Sequence, residues 1–268
     1  MIDLHCHLLP GIDDGPRSMS DAVTMARAAV AAGTTAMVCT PHMHPRFPTR
    51  PATVLAGVAA LAERLREEDV PLEVYAGGEI ALGHLPKMSD ADLAMACLGS
   101  GSWLLLEMPF RGWPLGLAET VRDLEIRGYR VVLAHPERAE SIQRTPDRLR
   151  DIVGRGALVQ ITAESLTGDN GTAARRTAQV LLAGGAAHII ASDAHSAGPW
   201  RPPGLTAGLE AAAKSLRVES EALSWMVYEG PAAIVAGRPV KPPRLTPSRR
   251  LREDVRPGPG APRSPTRG

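Results

Sequence analysis

Short apolar, β-rich runs alternate with amphipathic helical stripes along most of the chain. This alternation restricts the fold more than any other feature, because repeated β-α units around a parallel sheet write that pattern. Seven candidate strands are read at residues 1–4, 36–40, 72–75, 103–108, 130–134, 157–161 and 188–191. After the first, Ser18 and Asp21 have the form of a capping box. Ala22, Met25, Ala26, Ala29 and Val30 then make an apolar stripe that Gly33 can end. Further helices are expected over residues 51–68 and 117–127, the second stopped by Gly128. The fold class is therefore α/β. A seven-stranded barrel and an open doubly wound sheet fit it equally.

With 268 residues and 44% apolar content the chain can bury a full core, and one domain is the default. The formal net charge of +1 hides an asymmetry: from Arg238 to Gly268 there are nine basic and two acidic residues, so the body is acidic. An acidic body argues against nucleic acid as a partner. Residues 1–240 are read as the domain and residues 241–268 as a disordered basic, Pro-rich tail, since that stretch has too few apolar side chains to offset its ordering entropy. Cys6, Cys39 and Cys97 are few, odd in number and scattered, as for reduced thiols. No transmembrane run and no signal peptide are apparent, so a cytoplasmic chain is expected.

The strongest chemical signal is Asp3-Leu4-His5-Cys6-His7 at the end of the first strand. Side chains alternate along a strand, so His5 and His7 share a face and can grip one divalent ion while Cys6 points away. Similar groups follow later strands: His42 after Thr40-Pro41, Glu79 after Gly77-Gly78, Glu107 before Met108-Pro109, His135 in Ala134-His135-Pro136-Glu137-Arg138, and Asp193 and His195 in Ser192-Asp193-Ala194-His195. In parallel α/β folds the C-terminal strand ends converge on one face. Gathering so many ionisable groups without cations would be costly. The loop Gly11-Ile12-Asp13-Asp14-Gly15 adds two carboxylates, one able to reach a metal and the other to orient a ligand. Arg138 and Arg201 fall on loops at the same rim, where guanidinium forks can clamp phosphate. Mixed His and carboxylate ligation suits manganese, with zinc or iron as alternatives.

The run Asp3 to Pro16, with Thr40-Pro41-His42, Gly78-Glu79-Ile80, Leu106-Glu107, Ala134 to Arg138, Ser192 to His195 and Arg201-Pro202-Pro203, resembles the CpsB/CapC/YwqE group of bacterial tyrosine-protein phosphatases in the PHP (polymerase and histidinol phosphatase) superfamily. The resemblance implies a distorted seven-stranded (β/α)7 barrel of PHP type with three divalent ions, usually Mn2+. By motif position, His5, His7, Glu79 and Asp193 would hold one ion, Asp14, His42 and His195 a second, and Glu79, Glu107 and His135 a third. Arg138 and Arg201 would meet the substrate phosphate. The implied partner is the phosphotyrosine-bearing C-terminal segment of a capsule or exopolysaccharide tyrosine kinase, and the family pattern leaves room for a homo-oligomer.

The expected reaction is phosphomonoester hydrolysis by a metal-activated water, with no covalent enzyme intermediate and no cysteine nucleophile. The nearest rival is a PHP phosphatase for a small molecule such as histidinol phosphate. An amidohydrolase-type barrel often needs a strand-end lysine, and Lys87, Lys214 and Lys241 are not so placed.

Overall fold

The computed structural model describes residues 1–243. Most of the tail expected from residue 241 onward lies outside the described residues. The strands are β1 (Ile2–Cys6), β2 (Ala36–Cys39), β3 (His42–His44), β4 (Phe47–Pro48), β5 (Glu73–Ala76), β6 (Glu79–Ala81), β7 (Trp103–Glu107), β8 (Arg130–Ala134), β9 (Leu158–Thr162) and β10 (Ile189–Ala191). All seven expected strands occur, each within two residues of its expected bounds. The helix Met19–Ala31 begins at the expected capping box: Ser18 Oγ accepts from the Asp21 N–H, and the Asp21 carboxylate accepts from the Ser18 N–H. Helices Pro51–Glu67 and Leu117–Ile126 also stand where the apolar spacing put them.

The strands form two sheets, in the orders β1-β2-β5 and β10-β9-β8-β7-β6-β3-β4, parallel throughout except for the β3-β4 hairpin. The alternation of elements did not reveal this division. Its cause is local. Only Thr40 and Pro41 separate β2 from β3, and Pro41 has no N–H to give a ladder. Only Gly77 and Gly78 separate β5 from β6, and a Cβ on Gly78 would lie 2.3 Å from Met43 Cε, so glycine lets the Met43 side chain of β3 pack directly on this kink. Two strands of the first sheet thus turn and continue as members of the second. At the other edge β1 meets the residues after β10 in a parallel bridge between Cys6 and Ala194. There the His7 N–H donates to the Ala194 carbonyl at 2.8 Å and the Asp193 N–H to the His5 carbonyl at 2.9 Å.

Two apolar layers hold this together. One lies between strands and helices, with Met25, Met37, Leu104, Leu133 and Ile161 among its buried members. The other is a compact inner cluster that includes Leu4, Val38, Trp103, Leu105, Val132 and Leu158. Because both faces of these strands are covered, they read as nearly continuous apolar runs. Period-two alternation then places the chemistry. On β7 the inner residues Trp103 and Leu105 are followed on the same face by Glu107, and on β9 Leu158 is followed by Gln160. Apolar side chains fill the inside near the strand starts, and polar ones stand at the strand ends.

Candidate metal centre

Around the end of β1, buried partners fix each imidazole. Asp3 accepts from the Ser192 N–H at 3.0 Å and from the Ser192 hydroxyl at 2.5 Å, tying β1 to the loop after β10. His5 Nδ1 lies 3.0 Å from Gln160 Oε1, and His7 Nδ1 lies 2.6 Å from Asp13 Oδ2. With Nδ1 engaged, each ring presents Nε2 inward, and the two Nε2 atoms come within 3.3 Å of each other. Asp13 also accepts from the backbone N–H groups of Gly15 and His42. The turn that carries it lies flat on β1: a Cβ on Gly15 would fall 2.2 Å from the His7 carbonyl oxygen, so no larger residue fits there.

Glu79, at the start of β6 and fully buried, is the hub. Its Oε1 lies 2.8 Å from His135 Nε2 and 3.5 Å from His5 Nε2, and its Oε2 lies 2.6 Å from His42 Nδ1. Asp193 Oδ1 stands 3.4 Å from His5 Nε2 and 3.3 Å from His7 Nε2. Asp14 Oδ1 reaches His42 Nε2 at 3.5 Å and His195 Nε2 at 3.2 Å. His195 Nδ1 faces the Asp193 carbonyl at 2.9 Å.

All nine residues expected as ligands fall within four overlapping groups: His7, Asp14, His42 and His195; His5, His7 and Asp193; His5, Glu79 and His135; and His42, Glu79 and Glu107. Within each group the donor atoms lie within 4.8 Å of one another. The grouping overlaps the one implied by resemblance but differs from it in four places. Glu79 is not grouped with His5, His7 and Asp193, His5 stands with Glu79 and His135, His7 also joins the Asp14 group, and Glu107 stands with His42 rather than with His135.

The donor set fits divalent cations on its own terms. Glu79 Oε2 and Asp193 Oδ1 are buried oxygens without a hydrogen bond; Glu79 Oε2 is near His42 Nδ1 but lacks hydrogen-bond geometry. Each such oxygen leaves buried acceptor capacity unused, which a cation could take up. The charge distribution agrees. Burial opposes ionisation of Glu79 and Asp193, yet the surrounding cations, His5 foremost, hold both carboxyls well below the usual range. Burial likewise opposes charging of His7, but Asp13 and Asp193 raise its pKa to about 10. His195 goes the other way: burial, reinforced by His7, lowers it to about 4. Burial and the neighbouring Glu79 raise Glu107. A ring of anionic oxygens interleaved with imidazoles is what hard-to-borderline divalent ions require.

Arg138 and Arg201 both pair with Asp193 Oδ2, the former at 2.7 Å. Arg201 Nη1 also lies 2.9 Å from His195 Nε2. Both arginines line a cleft of about 690 Å3 that opens on the centre, together with Asp14, His42, Glu107 and His135. Three of the five non-glycine residues with positive φ among the described residues belong here: His135 (φ 30), Asp193 (φ 54) and Arg201 (φ 49). Such backbone costs about 1–3 kcal/mol each and collects where geometry serves chemistry.

His44 and His84 line the same cleft, and His44 Nδ1 accepts from the Arg46 N–H at 3.0 Å. His188 lies apart, its Nδ1 accepting from the Val159 N–H at 3.0 Å. The cysteines are buried and free. Cys6 Sγ donates to the Val38 carbonyl, and burial raises its thiol well above the usual value and that of Cys97 to about 11. Gln160 escaped sequence reasoning, its available signal being a lone polar residue inside a buried apolar run, and the pairing of Asp3 with Ser192 across 189 positions was equally hidden.

The tyrosine-protein phosphatase YwqE of Bacillus subtilis (strain 168) is 37% identical over 197 residues, covering 73% of this chain and 78% of that protein. The tyrosine-protein phosphatase CpsB of Streptococcus pneumoniae is 24% identical over 211 residues, covering 76% and 86%. A solved structure from work on YwqE of Bacillus subtilis and CpsB of Streptococcus pneumoniae, called there unique metal-dependent tyrosine phosphatases, superimposes with a TM-score of 0.81 at 31% identity, over 93% of this chain and 100% of that one. A β-aspartyl dipeptidase from Fervidobacterium islandicum AW-1 shares the fold alone, with a TM-score of 0.53 at 17% identity over 90% of this chain and 75% of that one. Residues 1–236 match the family described as capsular polysaccharide synthesis, CpsB/CapC, and the chain belongs to that family.

Proposed function

We propose that the chain is a metal-dependent tyrosine-protein phosphatase. The observation that carries this reading is the pair of buried, unpartnered oxygens, Glu79 Oε2 and Asp193 Oδ1, set among five imidazoles beside two arginines. Three divalent ions, manganese first in preference, would be held as the resemblance implies: one by His5, His7, Glu79 and Asp193, one by Asp14, His42 and His195, and one by Glu79, Glu107 and His135, with His42 also in reach of Glu107. The two kinked strands and the Cys6–Ala194 bridge support a distorted seven-stranded barrel of PHP type over residues 1–240.

When bound, the ions would supply Lewis acidity and a water of lowered pKa as nucleophile. Asp13 and Gln160 hold His7 and His5 with Nε2 facing the centre. Arg138 and Arg201 fork onto the phosphoryl oxygens and take up the charge that develops there. A tyrosine leaving group has a pKa of about 10, so the phenolate departs with little help from an acid. No thiolate is required, and Cys6 is held protonated by burial.

The substrate we favour is phosphotyrosine near the C-terminus of a capsule or exopolysaccharide tyrosine kinase in the cytoplasm. The family's capsular description supports it, as do three reduced, buried cysteines. The test is turnover of a phosphotyrosine peptide against histidinol phosphate by Mn2+-loaded and chelator-stripped protein. Manganese-dependent peptide hydrolysis is expected. Equal activity after stripping, or preference for histidinol phosphate, would sink the proposal.

A further inference from the structure

We infer that Phe47 and Phe110 form an aromatic clamp for the ring of the substrate, and that this clamp selects aryl over alkyl phosphomonoesters. The inference rests on the phosphatase reading above. The chain has two phenylalanines in 268 residues, and both line the cleft over the metal centre. Phe110 is 44% exposed, and Phe47 is only partly buried. A single exposed phenylalanine needs no explanation, but two rings converging on one cleft of a chain otherwise without phenylalanine do.

Neither ring is loose. Phe47 stacks on His42 with centroids 5.5 Å apart and planes 13° from parallel. Phe110 stacks on His135 at 6.0 Å and 9°. A guanidinium stands over each, Arg46 at 5.8 Å from the Phe47 centroid and Arg138 at 5.1 Å from that of Phe110. Their places in the fold put them on opposite sides of Glu79. In the order β7-β6-β3-β4, Phe47 is on β4 beyond β3, whereas Phe110 follows β7 on the other flank of β6. His42 and His135, which support the two rings, both touch Glu79. A phosphoryl group gripped by Arg138 and Arg201 therefore extends its ester substituent along a cleft walled by both phenyl rings. A phenyl substituent buries those rings and stacks on them, while a short alkyl substituent leaves them in water.

The experiment compares Mn2+-loaded full-length wild type with Phe47→Ala, Phe110→Ala, Phe47→Tyr and Phe110→Tyr. One measurement is kcat/KM for a phosphotyrosine peptide and for the same peptide carrying phosphoserine. The other is the calorimetric Kd for phenylphosphonate and for methylphosphonate. Each alanine variant is expected to lower the aryl-to-alkyl ratio about tenfold in both measurements, and each tyrosine variant to restore it. Unchanged ratios in both alanine variants, with phosphotyrosine hydrolysis intact, overturn the clamp and leave the phosphatase standing. Equal losses on both substrates also overturn it, because they assign the rings to support of His42 and His135 alone. A wild type that hydrolyses neither peptide overturns the phosphatase reading itself and the clamp with it.

Discussion

Asp13 Oδ2 lies 2.6 Å from His7 Nδ1, and this contact decides which nitrogen of the imidazole faces the centre. Asp13 itself is outside the proposed ligand set. Replacing it is expected to lower Mn2+ affinity by about 10–100-fold, the usual cost of losing a group that orients a ligand. Asp13→Asn, which keeps an acceptor, should fall short of Asp13→Ala. Calorimetric titration of metal-stripped protein measures both, and unchanged affinity would mean that His7 is positioned by something else.

Glu79 touches His5, His42 and His135, so its loss should empty more than one position. Glu79→Gln is expected to bind fewer metal ions per chain by elemental analysis and to lose on the order of 10³-fold in kcat. Full metal content in this variant would contradict a bridging role.

Lysine can supply the charge of Arg138 or Arg201 but not the planar fork. Arg138→Lys and Arg201→Lys should each cost on the order of 10²-fold in kcat/KM for a phosphotyrosine peptide, with bound metal unchanged. Both arginines also pair with Asp193. A parallel drop in metal content would therefore reassign them to holding that carboxylate.

Cys6 is enclosed between strands and donates to the Val38 carbonyl at 3.3 Å. Cys6→Ala should melt at a lower temperature, through a small cavity and the lost Sγ–H bond, and still turn over substrate. Abolished turnover in a folded, metal-replete variant would return the thiol to the mechanism.

His188 gives the fold a pH dependence of its own. Burial lowers its pKa from 6.5 to about 4 while its Nδ1 accepts from the Val159 N–H. Between those values the unfolded chain binds a proton that the native ring refuses, so stability is full above pH 6.5 and declines as the pH falls toward 4. The loss approaches about 3 kcal/mol. Melting curves of wild type and His188→Gln should differ in their pH dependence inside that window and agree above and below it; identical slopes within it would exclude His188 as the cause.

Much of this was legible before the structure. Strand ends carrying His5, His7, Glu79, Glu107, His135 and Asp193 stand out because ionisable groups directly after apolar runs need partners, and the structure brings them together. The division into two sheets was not legible, because Thr40-Pro41 and Gly77-Gly78 read as ordinary strand exits. Their neighbours in space, not in sequence, make them kinks. Gln160 was hidden for the same reason. Within the run Leu158–Thr162 it reads as a stray polar residue, and its use depends on His5 arriving from 155 positions away. Resemblance supplied the assignment of ligands to ions. Geometry altered its detail by bringing His7 to the Asp14 group and Glu107 to His42.

Ser192 and Asp3 join across 189 positions of sequence, and Asp193 meets His5 and His7 only through that closure. A chain emerging from the ribosome therefore carries its first histidines for most of its synthesis with no acidic partner from the far end. Cation binding at full strength has to wait until the last strand docks. The centre thus depends on completion: a copy truncated before the last strand would keep the histidines of the early strands but lack Asp193 and His195, which two of the four ligand groups require.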